Sequence, residues 1–188
     1  MSLVELIAQA DERGLAASGL ACLDRCVPLL GGDDEVLRPL WASLADPDDP
    51  GAADGWGERL EHARGKLGGP EEPGESEAVL LARRMLAAAP VDRSAAQVRV
   101  WADACSVAAL QIHRLLDPLV DRASSVDSRR EGRTEGMSPL VAAELRRQVT
   151  VLELLAGHGA AGVRPALEVS TEGRRVLRAV VSRRARRA

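Results

Sequence analysis

The sequence predicts an all-α fold, a compact bundle of about seven helices around a central helix, Ser94–Leu116. Three observations lead there. The 188-residue chain has no Phe or Tyr and only three Trp, so its apolar matter is mainly Ala, Leu and Val, two of which rank among the strongest helix formers. Apolar residues recur at helical spacing in most segments. In Ser94–Arg122, Val98, Trp101, Cys105, Ala108, Ile112, Leu115, Leu116 and Leu119 share one face, which Val100, Ala104 and Val107 widen. Only Arg99, Asp103, Ser106, Arg114, Asp117 and Asp121 make a polar stripe, interrupted by Leu110. A helix apolar over more than half its girth expects neighbours on several sides.

The elements follow in order. Ser2 with Glu5 is a capping-box pattern that opens a short helix to about Asp11. A second helix spans about Leu15–Leu30, weakened or bent at Gly19 and Pro28 and ended by Gly31-Gly32. Asp33 and Asp34 favour the start of a third, with Val36, Leu37, Leu40, Trp41 and Leu44 at helical spacing. Asp46–Gly55 reads as a loop, Trp56–Leu67 as a short helix with a thin apolar side, and Gly68–Gly74 as a linker. Ser76 caps a helix over Glu77–Ala89 that Pro90 ends. After the central helix, Pro118 marks a kink or an end, with Leu119–Val126 continuing it. Ser124–Gly136 is polar, lacks periodicity and is expected to be mobile. Ser138-Pro139 opens a helix with a Val141, Leu145, Val149, Leu152, Leu155 stripe, ending near Gly157. Thr171 or Ser170 caps a last helix carrying Val176, Leu177, Val180 and Val181. The whole reads as one helical domain over 1–188, with an N-terminal half 1–69, a linker 70–76, a C-terminal half 77–188 and an arginine-rich tail 183–188. About 70% of the surface of the unfolded chain should be buried at this size.

The net charge of −3 conceals a division. Residues 1–80 hold 17 acidic and 6 basic residues, and 81–188 hold 11 acidic and 19 basic. Two halves that attract each other, or a basic end that meets an acidic partner, would both give such a split. Solvated faces of different sign are the simpler expectation. Cys22, Cys26 and Cys105 are too few and too apolar in setting for a secreted disulfide framework. The N-terminus lacks the basic start of a signal peptide and carries Glu5 in its apolar stretch. No run approaches the length of a membrane span. The expectation is a cytoplasmic soluble protein with no membrane partner.

Three short segments resemble known families. Val151–Gly162 (VLELLAGHGAAG) matches a Gly-x-Gly-x-x-Gly fingerprint and resembles the first motif of methyltransferases that bind S-adenosylmethionine. That motif needs a strand inside a βαβ unit. Leu155 replaces a usual glycine, so the segment reads instead as a helix end and a turn, with no cofactor expected. His113-Arg114-Leu115-Leu116-Asp117-Pro118-Leu119 resembles the phospho-accepting box of sensor kinases, which implies phosphotransfer at His113 with Asp117 one turn on. Arg114 stands where that box has an acid. Val169–Leu177 (VSTEGRRVL) resembles the segment leaving the wing of winged-helix regulators, which would give Arg174, Arg175, Arg178, Arg183 and Arg184 to nucleic-acid phosphates. Cys22 and Cys26 lie one turn apart, but two ligands do not make a metal site.

No catalytic constellation is legible. The leading expectation is a non-enzymatic protein-interaction or regulatory module, binding a protein partner or a second copy of itself, which calls for a contiguous exposed apolar patch well above about 600 Å². The alternatives are a nucleic-acid-binding regulator using the C-terminal arginines, and phosphotransfer at His113, which requires that imidazole on an exposed face.

Overall fold

The computed structural model describes residues 1–46, 52–123 and 125–188. Among them are nine α-helices and no strand, so the fold is an all-α bundle: α1 (Leu3–Gln9), α2 (Glu12–Cys26), α3 (Arg38–Ala45), α4 (Ala52–Leu67), α5 (Glu77–Ala88), α6 (Ala95–Leu116), α7 (Val126–Arg130), α8 (Pro139–His158) and α9 (Val163–Ala185). Single 3₁₀ turns follow α2 at Val27–Leu29 and α8 at Gly159–Gly162.

The helix starts read from the sequence are largely present. Ser2 and Glu5 form the capping box of α1. The hydroxyls of Ser76 and Ser94 accept the backbone N–H of Val79 and Gln97, closing the starts of α5 and α6. The second helix gives way to a 3₁₀ turn at Pro28. Helix α3 begins only at Arg38, and α4 begins at Ala52, inside the stretch read as a loop. Residues 47–51 of that stretch lie outside the described residues.

Helix α2 lies at the centre of the bundle. Every residue from Gly14 to Cys26 is buried, and α2 packs against α6, α8 and α9 while also touching α3 and α5. Its small residues let neighbours approach closely. A Cβ on Gly19 would lie 2.6 Å from Cε3 of Trp101. Helix α6, read from the sequence as the centre, packs on α2, α5 and α8 and keeps one side in solvent. The side also differs from expectation. Ser106 and Leu110 are fully buried, whereas Val100 is 73% exposed and Ala104 is exposed. Ser106 turns inward because its hydroxyl donates to Gln148 Oε1 at 2.6 Å and accepts from Arg130 Nε at 3.1 Å.

The core is aliphatic with three indoles. Trp56 and Trp101 meet edge to face, centroids 6.2 Å apart. The indole N–H groups of Trp41, Trp56 and Trp101 donate to Asp24 Oδ2, Pro90 O and Met85 O. Each ring therefore buries its body and still satisfies its donor.

Three further expectations are corrected. Within the polar stretch read as mobile, Val126–Arg130 folds into α7, because Arg129 and Arg130 are buried and paired; Ser124 lies outside the described residues. Arg129 donates through Nε and Nη2 to Asp121 Oδ1, and Arg130 reaches Ser106, Asp127 and Asp103. Leu119–Ala123 is not helical. The last helix starts at Val163, so Ser170 and Thr171 lie inside it and donate to Ala166 O and Leu167 O one turn back. Pro165 falls in its first turn, where a missing N–H costs nothing, and serine and threonine inside a helix commonly bond the carbonyl four residues back.

Candidate functional site

Three places could do more than hold the fold: the cluster around His113, the arginine-rich end of α9, and the side of α6 left in solvent.

His113 is 1% exposed. Its Nδ1 lies 2.7 Å from Ala109 O, an acceptor, so that nitrogen carries the proton. Nε2 lies 3.5 Å from Glu144 Oε2. Burial pushes the imidazole below its ordinary value of 6.5, against the pull of Glu144. Glu144 is itself fully buried, taking Nε and Nη2 of Arg25 at 2.8 and 2.6 Å and Nε2 of Gln148 at 2.9 Å. Burial alone would raise that carboxyl, but Arg25 first and His113 second bring it below 4.5. Arg25 also donates to Ser170 Oγ and Cys22 Sγ. The expected exposed edge for His113 is thus overturned: the imidazole is sealed between α6 and α8, and a phosphoryl donor has no access to it. Asp117 is half-buried one turn on, where its two oxygens accept the backbone N–H of Leu119 and Leu140.

The thiols share this interior. Cys22, Cys26 and Cys105 are free and buried, and burial pushes Cys22 up to about 12 and the other two well above 9.0. A thiol held neutral is a poor nucleophile and a poor metal ligand. No three His, Cys, Asp or Glu among the described residues come together as a metal site.

The structure divides the five candidate arginines. Arg174 is only 6% exposed and pairs through Nη1 with Asp24, so it is not a surface cation. Arg178 pairs with Asp34. Arg175, Arg183 and Arg184 are exposed, and among the described residues none forms an ion pair. The segment that resembles a wing exit lies wholly inside α9. Arg183, Arg184 and Arg187 stand around a groove of about 400 Å³ floored by Leu116, Pro118 and Val180. The glycine fingerprint likewise has no strand beside it: it spans the end of α8 and the turn after it, and Gly159 ends the helix at φ +53.

The third place was not read as a site from the sequence. A groove of about 400 Å³ runs between α5 and α6, lined by Leu81, Met85, Ala88, Ala104, Val107 and Ala108, with Arg84 and Gln111 as its polar members. Val100 stands one turn from Ala104 on the same side of α6. Its signal was present as two apolar stripes at helical spacing, which look the same whether they meet core or water.

No protein-family model, curated protein or solved structure matches the chain significantly. No helix is long and apolar enough to cross a membrane among the described residues.

Proposed function

We propose that the protein is a non-enzymatic interaction module that self-associates through the α5–α6 face. The observation that carries this reading is a projecting apolar side chain beside an apolar recess on one helix. Val100 is 73% exposed, and Ala104 and Ala108 follow it at one-turn intervals as part of the groove wall. An isologous contact about a two-fold axis needs both halves of the fit on one surface. Here the Val100 of one copy faces the alanine recess of the other, and small residues let the two helices come close. The one charged member of the groove is Arg84, an exposed side chain long enough to keep its guanidinium in water at the rim.

Sedimentation equilibrium tests the proposal. The wild-type chain is expected to show a reversible monomer–dimer equilibrium, and Ala104→Glu to stay monomeric with an unchanged melting temperature, since Ala104 is exposed in the monomer. A wild-type chain that is monomeric at every concentration, or a dimer indifferent to Ala104→Glu, overturns it. The alternative expectation, nucleic-acid binding, keeps Arg175, Arg183 and Arg184 as its free cations and enters the experiment that follows.

A further inference from the structure

The end of the molecule where α6 stops and α9 finishes combines two independent features. First, it is basic without relief. Arg183, Arg184 and Arg187 line one groove, and no ion pair reaches them among the described residues. The nearest acid along α6 is Asp117, whose carboxylate is engaged by the backbone N–H groups of Leu119 and Leu140. Second, it carries exposed aliphatic matter. Leu119 and Val120 are 60% and 84% exposed, adjacent in sequence, and follow directly on Pro118 of the groove floor. Arg184 donates to Leu115 O at 3.4 Å, which ties the arginine end of α9 to the end of α6 that leads into these residues.

Each feature alone has a plain explanation. Arginines at the end of a helix suit its negative pole, and single exposed aliphatics are ordinary. Together they describe a surface for an occupant that is both anionic and apolar. We propose that this end of the molecule binds the surface of an anionic phospholipid bilayer. The arginines meet the headgroup phosphates, the groove floor of Leu116, Pro118 and Val180 takes the glycerol and first methylenes, and Leu119 and Val120 dip below the phosphate level. Surface contact of this kind needs no spanning helix, so the lack of one among the described residues does not bear on it. Basic residues near an anionic leaflet and apolar side chains at its interface add to each other.

The observations favour lipid over nucleic acid. Leu119 and Val120 have nothing to do on a phosphodiester backbone. The chain has no Phe or Tyr, and Trp41, Trp56 and Trp101 are buried, so no phenyl, phenol or indole ring is exposed for bases to stack on. The contact shares no lining residue with the α5–α6 groove and does not depend on self-association.

Co-sedimentation with vesicles tests it. The wild-type chain is expected to pellet with phosphatidylcholine vesicles containing phosphatidylglycerol and to stay in solution with phosphatidylcholine alone. Leu119→Asp/Val120→Asp should weaken partitioning roughly tenfold or more, as should Arg183→Gln/Arg187→Gln, and both should leave the circular dichroism and melting temperature unchanged. Partitioning that ignores Leu119→Asp/Val120→Asp, or that is equal on neutral vesicles, overturns the proposal. So does tighter binding to duplex DNA that depends on the arginines and not on the aliphatic pair.

Discussion

Arg25 and Glu144 are 119 positions apart and meet in a dry fork-to-fork pair, both fully buried. Taking two charges out of water is costly, and their attraction offsets that cost only while both are present and hydrogen-bonded. Gly173 completes the enclosure, since a Cβ there would stand 2.4 Å from Cδ of Arg25. Glu144→Ala is expected to destabilise the fold by about 3–5 kcal/mol by leaving Arg25 buried and unpaired. Arg25→Met/Glu144→Leu should recover most of that loss, because neither charge then remains to be solvated. Urea denaturation of the three chains decides it, and a double variant no more stable than Glu144→Ala would mean that the pair matters for its shape. Gly19 makes a different residue-scale argument. Trp101 occupies the space where its Cβ would be, and the indole is tied to Met85 O at 2.9 Å. Gly19→Ala should therefore cost roughly 1–3 kcal/mol by overpacking, although alanine is the better helix former. A denaturation midpoint at or above that of the wild type would show that Trp101 moves aside freely.

Among the helices, arginine acts as an end-cap. Arg99 of α6 donates to the carbonyls of Ile7, Ala8 and Ala10 at the end of α1. Arg64 of α4 does the same for Leu86, Ala87 and Ala89 at the end of α5, and Arg129 holds the carbonyls of Arg133 and Glu135 after α7. The last carbonyls of a helix have no partner within it, and a planar fork with five donors can collect several at once. Arg99→Ala should cost about 1–3 kcal/mol and release α1 first. Arg99→Lys should restore only part of it, since an ammonium cannot span three carbonyls. Native-state hydrogen exchange at α1 reads both, and α1 amides as protected in Arg99→Ala as in the wild type would refute the capping role. These caps also explain what the sequence could and could not reveal. Helices begun by Ser2, Ser76 or Ser94 are legible because a side chain three residues away closes them. Helix α7 is held by Arg129 on Asp121 and Arg130 on Ser106, partners 8 and 24 positions distant. A polar run without apolar period then looks solvated. The site was illegible for a related reason. Helix α6 is apolar towards α2 and again along Val100, Ala104 and Val107, and the sequence does not record which of two apolar sides has a neighbour.

Over the whole molecule, part of the charge division between the halves is met inside the fold. Glu12 pairs with Arg93, Asp24 with Arg174, Asp34 with Arg174 and Arg178, and Arg25 with Glu144. Each pair crosses from residues 1–80 to residues 81–188, so the opposite signs help to hold two stretches of chain together and are not only solvated faces. This arrangement makes stability depend on pH in a definite order. Burial holds the imidazole of His113 below 6.5, so on acidification the unfolded chain binds that proton first. Stability therefore begins to fall as the pH drops below about 6.5, by at most about 1.4 kcal/mol per pH unit for this one group. Glu144 and Asp121 are held below their ordinary values of 4.5 and 3.8. Their contributions are present above those values and are lost later, as the pH falls through the lowered ones. Asp24 works in the opposite sense, since burial outweighs Arg174 and raises it, so its protonation softens the final loss. Thermal melts between pH 7 and pH 3 should show two descending legs, the first near neutrality and the second in the carboxylate range. His113→Gln, which keeps a donor for Ala109 O and cannot titrate, should flatten the first leg and leave the second. A melting temperature that rises between pH 7 and pH 5 would mean that Glu144 outweighs burial and that His113 is charged in the fold.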